Sequence, residues 1–313
     1  MLILTREQTS VNGFTVFARL TRIQFLPLIL LPAFVGTALA YHIDHTFNLA
    51  FFALVLLGIG LLHLGANAID DCYDYQNGVD MIANSMFPKD FGGWKPLPRG
   101  LITLRNAKIV SYALFFGSIL LATFFAFVIG PWSLVLGLAG VVLAIIYTAP
   151  PFKLDYRGFG FGEASILFAF GPIPVLGAYY VQTGELSISA LLVSIPVGVL
   201  TVTVLMNHDM IFYEVYRASK KMSLGAKLGR SRALKSSLAM TLFSYVFVLF
   251  LIGVRLLSIW CVIAPIVAFL ILARRAKIYG QPNGPPPSYI PLATNGIIAD
   301  WIFALLLGLT CLI

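Results

Sequence analysis

Long apolar runs alternate with shorter polar connections along the whole chain. Nine runs stand out, at about 23–41, 47–69, 108–129, 131–147, 162–181, 187–206, 235–254, 256–273 and 291–312. Each approaches the roughly 20 residues a helix needs to cross the hydrocarbon core of a bilayer. Inside lipid every backbone polar group must be satisfied within the segment, so continuous runs of this length predict helices. The expected fold is all-α and polytopic, with about nine transmembrane helices in a single domain over residues 1–313. The run at 131–147 is the shortest.

Composition sharpens this reading. Hydrophobic residues make up 59% and charged residues 11% of the 313 positions, with a mean hydropathy of +0.91. Soluble domains carry roughly 25% charged residues. No cleavable signal peptide is expected, because residues 1–22 are mixed and polar without an apolar stretch before a small-residue cleavage site.

Positive charge orients the helices. Arg6, Arg19 and Arg22 precede the first run. Lys89, Lys95, Arg99, Arg105 and Lys108 lie after the second, Lys153 and Arg157 after the fourth. Arg217, Lys220, Lys221, Lys227, Arg230, Arg232 and Lys235 follow the sixth, and Arg274, Arg275 and Lys277 the eighth. Only Arg255, of the 21 basic residues, falls on the opposite side. The positive-inside rule then places the N-terminus and these connections in the cytoplasm and the C-terminus outside a cell membrane. The net charge of +8 reflects topology and the anions such loops hold, and does not point to nucleic acid. The polar sequence concentrates in the same connections: 70–107, which contains GGWKPLPRG at 92–100, then 207–234, and the Pro-rich 274–290. Cys261 and Cys311 read as plain apolar residues, and the three cysteines show no metal-ligand spacing.

Acidic residues are scarce, and six of the 13 fall in two stretches at the ends of apolar runs. The first is NAIDDCYDYQNGVD at 67–80, the second NHDMIFYE at 207–214. On a helix, residues four apart share a face, which pairs Asn67 with Asp71 and Asp70 with Asp74. Three carboxylates this close repel one another unless cations offset them. Oxygen ligands without His or Cys suit Mg2+, held by one or two carboxylates together with substrate phosphates. The second stretch is less regular. Asp209 shares a face with Tyr213 and Tyr216, whereas Glu214 shares one with Asn207. Either the helix ends near 209, or only one of the two acids is a ligand. Lys and Arg recur beside these motifs, at Lys95, Arg99, Lys153, Arg157, Lys220 and Lys221. Acids for a metal and cations for oxyanions together are what a diphosphate requires.

The stretch 67–80 resembles the first aspartate-rich motif of the UbiA-type intramembrane prenyltransferases, and most of all its menaquinone-branch form. RLTRIQFLP at 19–27 is similar to that branch's opening. YTAPPFKLDYRGFGFGE at 147–163 and FGPIPVLGAYY at 170–180 are similar to its middle section, and LGR at 228–230 to the end of its second acidic motif. Two departures stand out. Asp70 stands where the family usually has Asn, and no aspartate pair at D-x-x-x-D spacing occurs in 207–216.

The resemblance implies a central cavity that opens to the cytoplasmic face and laterally to lipid. It implies transfer of a polyprenyl group from a polyprenyl diphosphate to an aromatic acceptor, with 1,4-dihydroxy-2-naphthoate expected. It implies Mg2+, as two ions bridging to the diphosphate, held by Asn67, Asp70, Asp71, Asp74, Asp209 and Glu214. Asp71, Asp74, Asp209 and Glu214 are the expected catalytic residues. Lys95, Arg99, Lys153, Arg157, Lys220, Lys221 and Arg22 are expected on the diphosphate, and Asn67, Tyr147, Asn207 and Tyr213 as groups orienting acceptor or ligand. Other acceptors remain open: geranylgeranylglyceryl phosphate, 4-hydroxybenzoate or a tetrapyrrole. A cation-coupled transporter is the alternative of another class. Asp300, inside the ninth run, is the acid that suits one, although a hydrogen bond to a neighbouring helix explains it as well.

Overall fold

The computed structural model describes residues 11–87, 95–281 and 283–313. Arg6, Lys89 and residues 92–94 of the GGWKPLPRG stretch lie outside them. The described chain is helical: α1 (Gly13–Leu20), α2 (Pro27–Asp44), α3 (Leu49–Gln76), α4 (Val79–Met86), α5 (Leu104–Val128), α6 (Trp132–Thr148), α7 (Phe161–Phe170), α8 (Pro172–Thr183), α9 (Ile188–Ile211), α10 (Tyr213–Ser219), α11 (Leu224–Leu228), α12 (Arg230–Gly253), α13 (Ile263–Ala273), α14 (Ala276–Tyr279) and α15 (Ile290–Cys311).

Seven segments are long and apolar enough to cross a membrane: Ile23–Asp44, Leu49–Gln76, Leu104–Val128, Phe161–Thr183, Ile188–Ile211, Arg230–Gly253 and Pro286–Cys311. They coincide with seven of the nine expected runs. The other two runs are also helical but shorter, at Trp132–Thr148 and Ile259–Ala273. Large apolar side chains such as Leu57, Phe116, Phe127, Val246 and Phe269 are exposed along these helices, as a surface bathed in lipid tails requires. Together these features make the chain a multi-pass membrane protein.

Helix ends are set by local chemistry. The Asn48 side chain caps α3 by accepting from Phe51 N at 3.1 Å. Thr103 does the same for α5 from Asn106 N at 3.2 Å, satisfying amides that have no partner within the helix. α3 has 28 residues and is about 42 Å long at the helical rise. A hydrocarbon core is roughly 30 Å thick. The helix is thus longer than a crossing requires, and its final turns carry Asp70, Asp71 and Asp74. Gly78, at φ +80°, supplies the left-handed turn into α4.

Between helices in lipid, close packing rather than water exclusion drives association. α3 packs along α5, α2 along α8 and α15, and α9 against α7, α12 and α15. The span Phe161–Thr183 breaks at Gly171, just before Pro172, where proline removes a helical donor. A Cβ on Gly171 would sit 2.6 Å from Ser194 O, and one on Gly198 would sit 2.5 Å from Leu167 O. The break is thus pressed against α9 through two glycines. Cys261 and Cys311, remote in sequence, lie buried with their sulfurs 4.0 Å apart.

Candidate active site

Helices α2, α3, α6, α7, α9 and α15 surround a cavity of about 620 Å³. Its inner part is apolar, with Phe25, Leu28, Leu62, Leu143, Ile166 and Phe170 on its walls. Its polar end is built from the end of α3, the start of α4, and four connections that supply Arg22, Lys95, Asp155 and Lys221. Arg22, Lys153 and Lys220 each adopt a left-handed backbone conformation, at φ 50°, 45° and 59°. Non-glycine residues hold such conformations only where their surroundings enforce them. Arg22 is held by the ion pairs that follow and Lys153 by a hydrogen bond to Asn77, whereas Lys220 caps the C-terminal end of α10.

Each carboxylate of the first cluster meets a cation. Arg22 Nη2 donates to Asp70 Oδ2 at 3.0 Å and also to Asp71 Oδ1. Lys95 Nζ lies 3.0 Å from Asp71 Oδ1 and 2.7 Å from Asp80 Oδ1. Lys221 Nζ lies 3.0 Å from Asp74 Oδ2 and 2.9 Å from Asp155 Oδ2. Tyr156 OH donates to Asp74 Oδ1 at 2.6 Å, and Asn77 in turn donates to Tyr156 at 3.2 Å. Lys153 reaches Asn77 at 2.6 Å. It therefore buttresses the carboxylates through Asn77 and Tyr156 and does not border the cavity.

This geometry shifts the groups that lie beyond the spans. Burial pushes the Asp80 carboxyl up to about 7, against the pull of Lys95 and with help from Asp71 and Asp74. Burial works against the Lys95 charge, but Asp71 and Asp80 outweigh it and raise the ammonium above its usual range. Asp155 and Asp74 do the same for Lys221. Burial and then the Asp74 charge raise the Tyr156 hydroxyl, which stays a proton donor.

The expected residues divide into two groups. Arg22, Asn67, Asp70, Asp71, Asp74, Lys95, Tyr147 and Lys221 line the cavity. Asn67 Nδ2 lies 3.0 Å from His63 Nε2. The second cluster is dispersed. Asp209 is buried behind the wall, accepting from Ser223 Oγ at 2.7 Å. Asn207 faces α12, accepting from Ser237 Oγ at 2.8 Å. Glu214 turns outward, its side chain 53% exposed, 3.3 Å from Arg230. Tyr213 sits under the guanidinium of Arg230 in a separate hollow at the start of α12. Arg157 donates to Phe152 O at 2.6 Å; Lys220 is exposed; Arg99 is not among the residues lining the cavity.

In the place of that cluster, the cavity-facing stripe of α9 and α10 is His208, Phe212 and Tyr216. Their rings run in series: His208 to Phe212 at 4.8 Å and 30°, and Phe212 to Tyr216 at 6.1 Å and 23°. Asp80, Asp155 and Tyr156 complete the acid end and were not assigned there from sequence. Asp80 is part of the first acidic stretch, and Asp155 lies between the two basic residues Lys153 and Arg157, so both left a trace.

The donor set can be tested against Mg2+. Asp70 borders the cavity and its Oδ1 is buried without a hydrogen-bond partner. A buried carboxylate oxygen needs a donor or a cation, so the first cluster fits a hard ion that also binds substrate oxygens. Among the described residues no three His, Cys, Asp or Glu side chains converge to enclose an ion by themselves.

A profile of the UbiA prenyltransferase family matches residues 29–289. The 1,4-dihydroxy-2-naphthoate octaprenyltransferase of Bacillus subtilis is 23% identical over 252 residues, covering 77% of this chain and 75% of that protein. The Escherichia coli protein of the same name is 30% identical over 220 residues, covering 66% and 67%. Among solved structures, a UbiA homologue from Archaeoglobus fulgidus bound to GPP and Mg2+ superposes with a TM-score of 0.68 at 19% identity, over 95% of this chain and 99% of the other.

Proposed function

The chain belongs to the UbiA prenyltransferase family, and from that membership we propose that it transfers a polyprenyl group from a polyprenyl diphosphate to 1,4-dihydroxy-2-naphthoate. It is a prenyltransferase of the membrane; the acceptor and the assignment of individual residues are the proposal. The acceptor is chosen because relatives of that activity are matched over most of the chain. The observation that carries the residue assignment is the acid cluster 70–74, flanked by Arg22, Lys95 and Lys221 at the polar end of an otherwise apolar cavity. In this reading the basic end faces the cytoplasm, the C-terminus lies outside, nine helices including the two short ones cross the bilayer, and the cavity opens sideways to lipid.

The prenyl chain lies along the apolar walls with its diphosphate at the polar end. Asp70, Asp71 and Asp74 would hold Mg2+, which when bound neutralises diphosphate charge and favours its departure. Arg22, Lys95 and Lys221 bind the phosphate oxygens and carry part of the charge that builds on them as the carbon–oxygen bond breaks. Asn67 and Tyr147 orient what lies between them. The allylic cation left behind is attacked by the electron-rich ring of the acceptor. The attacked carbon then expels its own substituent, a proton or, at the carboxylate-bearing carbon, carbon dioxide, to restore the aromatic ring. Apolar walls keep water from capturing it.

Purified protein given Mg2+, a radiolabelled prenyl diphosphate and a panel of acceptors should yield a labelled prenylated naphthalene product and diphosphate with 1,4-dihydroxy-2-naphthoate. Product with only a different acceptor would reassign the substrate. Neither product nor diphosphate release with any acceptor would sink the reading. A transporter has less support: Asp300 accepts a hydrogen bond from Thr201 of α9 at 3.4 Å, and the other acids gather at one end of the cavity rather than midway along broken helices.

A further inference from the structure

Lys221 is the most deeply buried of the three cations Arg22, Lys95 and Lys221 at the polar end of the cavity. Its side chain is 4% exposed. The ammonium lies between two aromatic rings, 5.1 Å from the centre of Tyr216 and 5.4 Å from that of Tyr156, and touches Asp74 and Asp155. The backbone around it is anchored as well. Met222 pairs with Arg157 in an isolated bridge. Leu224 N donates to the Glu163 carboxylate at 2.9 Å. Gly158, at φ +66°, lets the two connections approach so closely that a Cβ there would sit 2.7 Å from Met222 O. The ammonium contacts three carboxylate oxygens, Asp74 Oδ1 at 3.2 Å, Asp74 Oδ2 at 3.0 Å and Asp155 Oδ2 at 2.9 Å. The residue borders the cavity, where incoming phosphate oxygens compete for its three donors.

The wall beside it, with His208, Phe212 and Tyr216 facing the cavity, presents no carboxylate to a divalent ion. A D-x-x-x-D pair must occupy positions four apart on the face that looks into the cavity. On this wall those positions are Phe212 and Tyr216, and their side chains carry no carboxylate. Asp209 does not border the cavity. Its Oδ2 is engaged by Ser223 and covered by Gly225, where a Cβ would lie 2.8 Å away. Its Oδ1, although it has no hydrogen-bond partner, is buried behind the wall rather than beside the substrate space as Asp70 is. Glu214 faces outward to Arg230.

Resting on the prenyl-transfer reading above, we infer that the 207–216 wall holds no divalent ion and that the Lys221 ammonium supplies the positive charge the diphosphate needs on that side. Divalent metal is confined to the 70–74 cluster. The site is asymmetric: exchangeable metal on one wall and a built-in cation on the other. A lysine brings a compact point charge with mobile donors, suited to phosphate oxygens that shift as the bond breaks.

The test uses the full chain in detergent, Mn2+ as a spin-active substitute for Mg2+, and a prenyl S-thiolodiphosphate that cannot ionise. Mn2+ bound per chain is counted by electron paramagnetic resonance with the analogue present. The Asp209→Asn/Glu214→Gln double variant is expected to bind as many ions as the wild type, and Asp70→Asn/Asp74→Asn to bind fewer. One ion fewer in the Asp209→Asn/Glu214→Gln variant would overturn the inference. Lys221→Met/Asp155→Asn removes both charges of one buried pair, and Asp74, which also loses Lys221, keeps the Tyr156 hydroxyl as its donor. It is expected to keep its Mn2+ count and to bind the analogue at least roughly tenfold more weakly, the effect of losing a charged hydrogen bond. Unchanged analogue affinity would overturn the role of Lys221. A wild-type protein that bound neither Mn2+ nor the analogue would instead remove the prenyl-transfer reading, and this inference with it.

Discussion

Lys221 Nζ lies 2.9 Å from Asp155 Oδ2, although the two residues belong to different interhelical connections. Both side chains are 4% exposed. Deleting one partner of a buried ion pair strands the other charge at a cost of about 3–5 kcal/mol. Here Asp74 still holds Lys221, which places Asp155→Ala at the lower end. Thermal unfolding in detergent should show a clear drop in melting temperature for Asp155→Ala and a smaller one for Asp155→Asn. A wild-type melting curve for Asp155→Ala would mean that the connections are not held together by this pair.

Asp71→Ala and Asp74→Ala should each lower prenyl transfer by at least about 100-fold, the scale of losing preorganised charge at a reacting centre. Near-normal product formation in both would contradict the assignment of the first cluster.

Tyr156→Phe removes a 2.6 Å donor to Asp74 but leaves Lys221 on the same carboxylate. A hydrogen bond to a charged group is worth about 1.5–3 kcal/mol. Turnover should fall by roughly tenfold to a hundredfold on that scale. Progress curves at saturating substrate would measure it, and an unaltered rate would exclude Tyr156 as a support for Asp74.

The Glu214–Arg230 contact is half-exposed, and such pairs contribute about 0–1 kcal/mol. Glu214→Gln should therefore keep turnover within roughly twofold or threefold of wild type. A loss of two orders of magnitude would place Glu214 back among the ligands.

Asp80 gives a pH signature. Its carboxyl is raised to about 7 by burial, whereas an unfolded aspartate titrates near 3.9. Between those values the folded state binds more protons, so this group's contribution to stability falls as pH rises and levels off above about 7. In Asp80→Asn that part of the slope should vanish. Melting temperatures of both proteins between pH 4.5 and 8 would show it, and parallel profiles would refute it.

The helices and their connections were legible because lipid leaves few choices: an apolar run of sufficient length must be helical. The 131–147 run keeps its expected length at Trp132–Thr148, whereas the 256–273 run came out shorter, since hydropathy marks where a helix is apolar but not where its turns begin. The 256–273 run starts in a 3-10 turn at Ile259–Val262. The first acid cluster was legible because its chemistry follows helical spacing. The second was not. Its acids catch the eye, yet Asp209 and Glu214 face away from the cavity, and the residues that reach it are apolar or aromatic ones that no charge pattern selects. Asp155 needed the fold, because its partner Lys221 comes from a connection far along the chain.

Glycine packing offers a control that needs no substrate. Gly198→Val would drive a Cβ to 2.5 Å from Leu167 O. Overpacking typically costs about 1–3 kcal/mol, so folded yield should fall. Gly177→Ala, where nothing lies within 4 Å of the added Cβ, should leave yield unchanged. Equal yields would mean that α7 and α9 can separate without loss.

The 17 residues of α6 rise only about 25 Å, against a hydrocarbon core of roughly 30 Å. The helix also supplies Gly140, Leu143, Ala144 and Tyr147 to the cavity wall. Lipids beside a short helix must shorten or tilt to cover it. If α6 crosses the bilayer as proposed above, the membrane thins along this flank, and that flank is also a wall of the cavity.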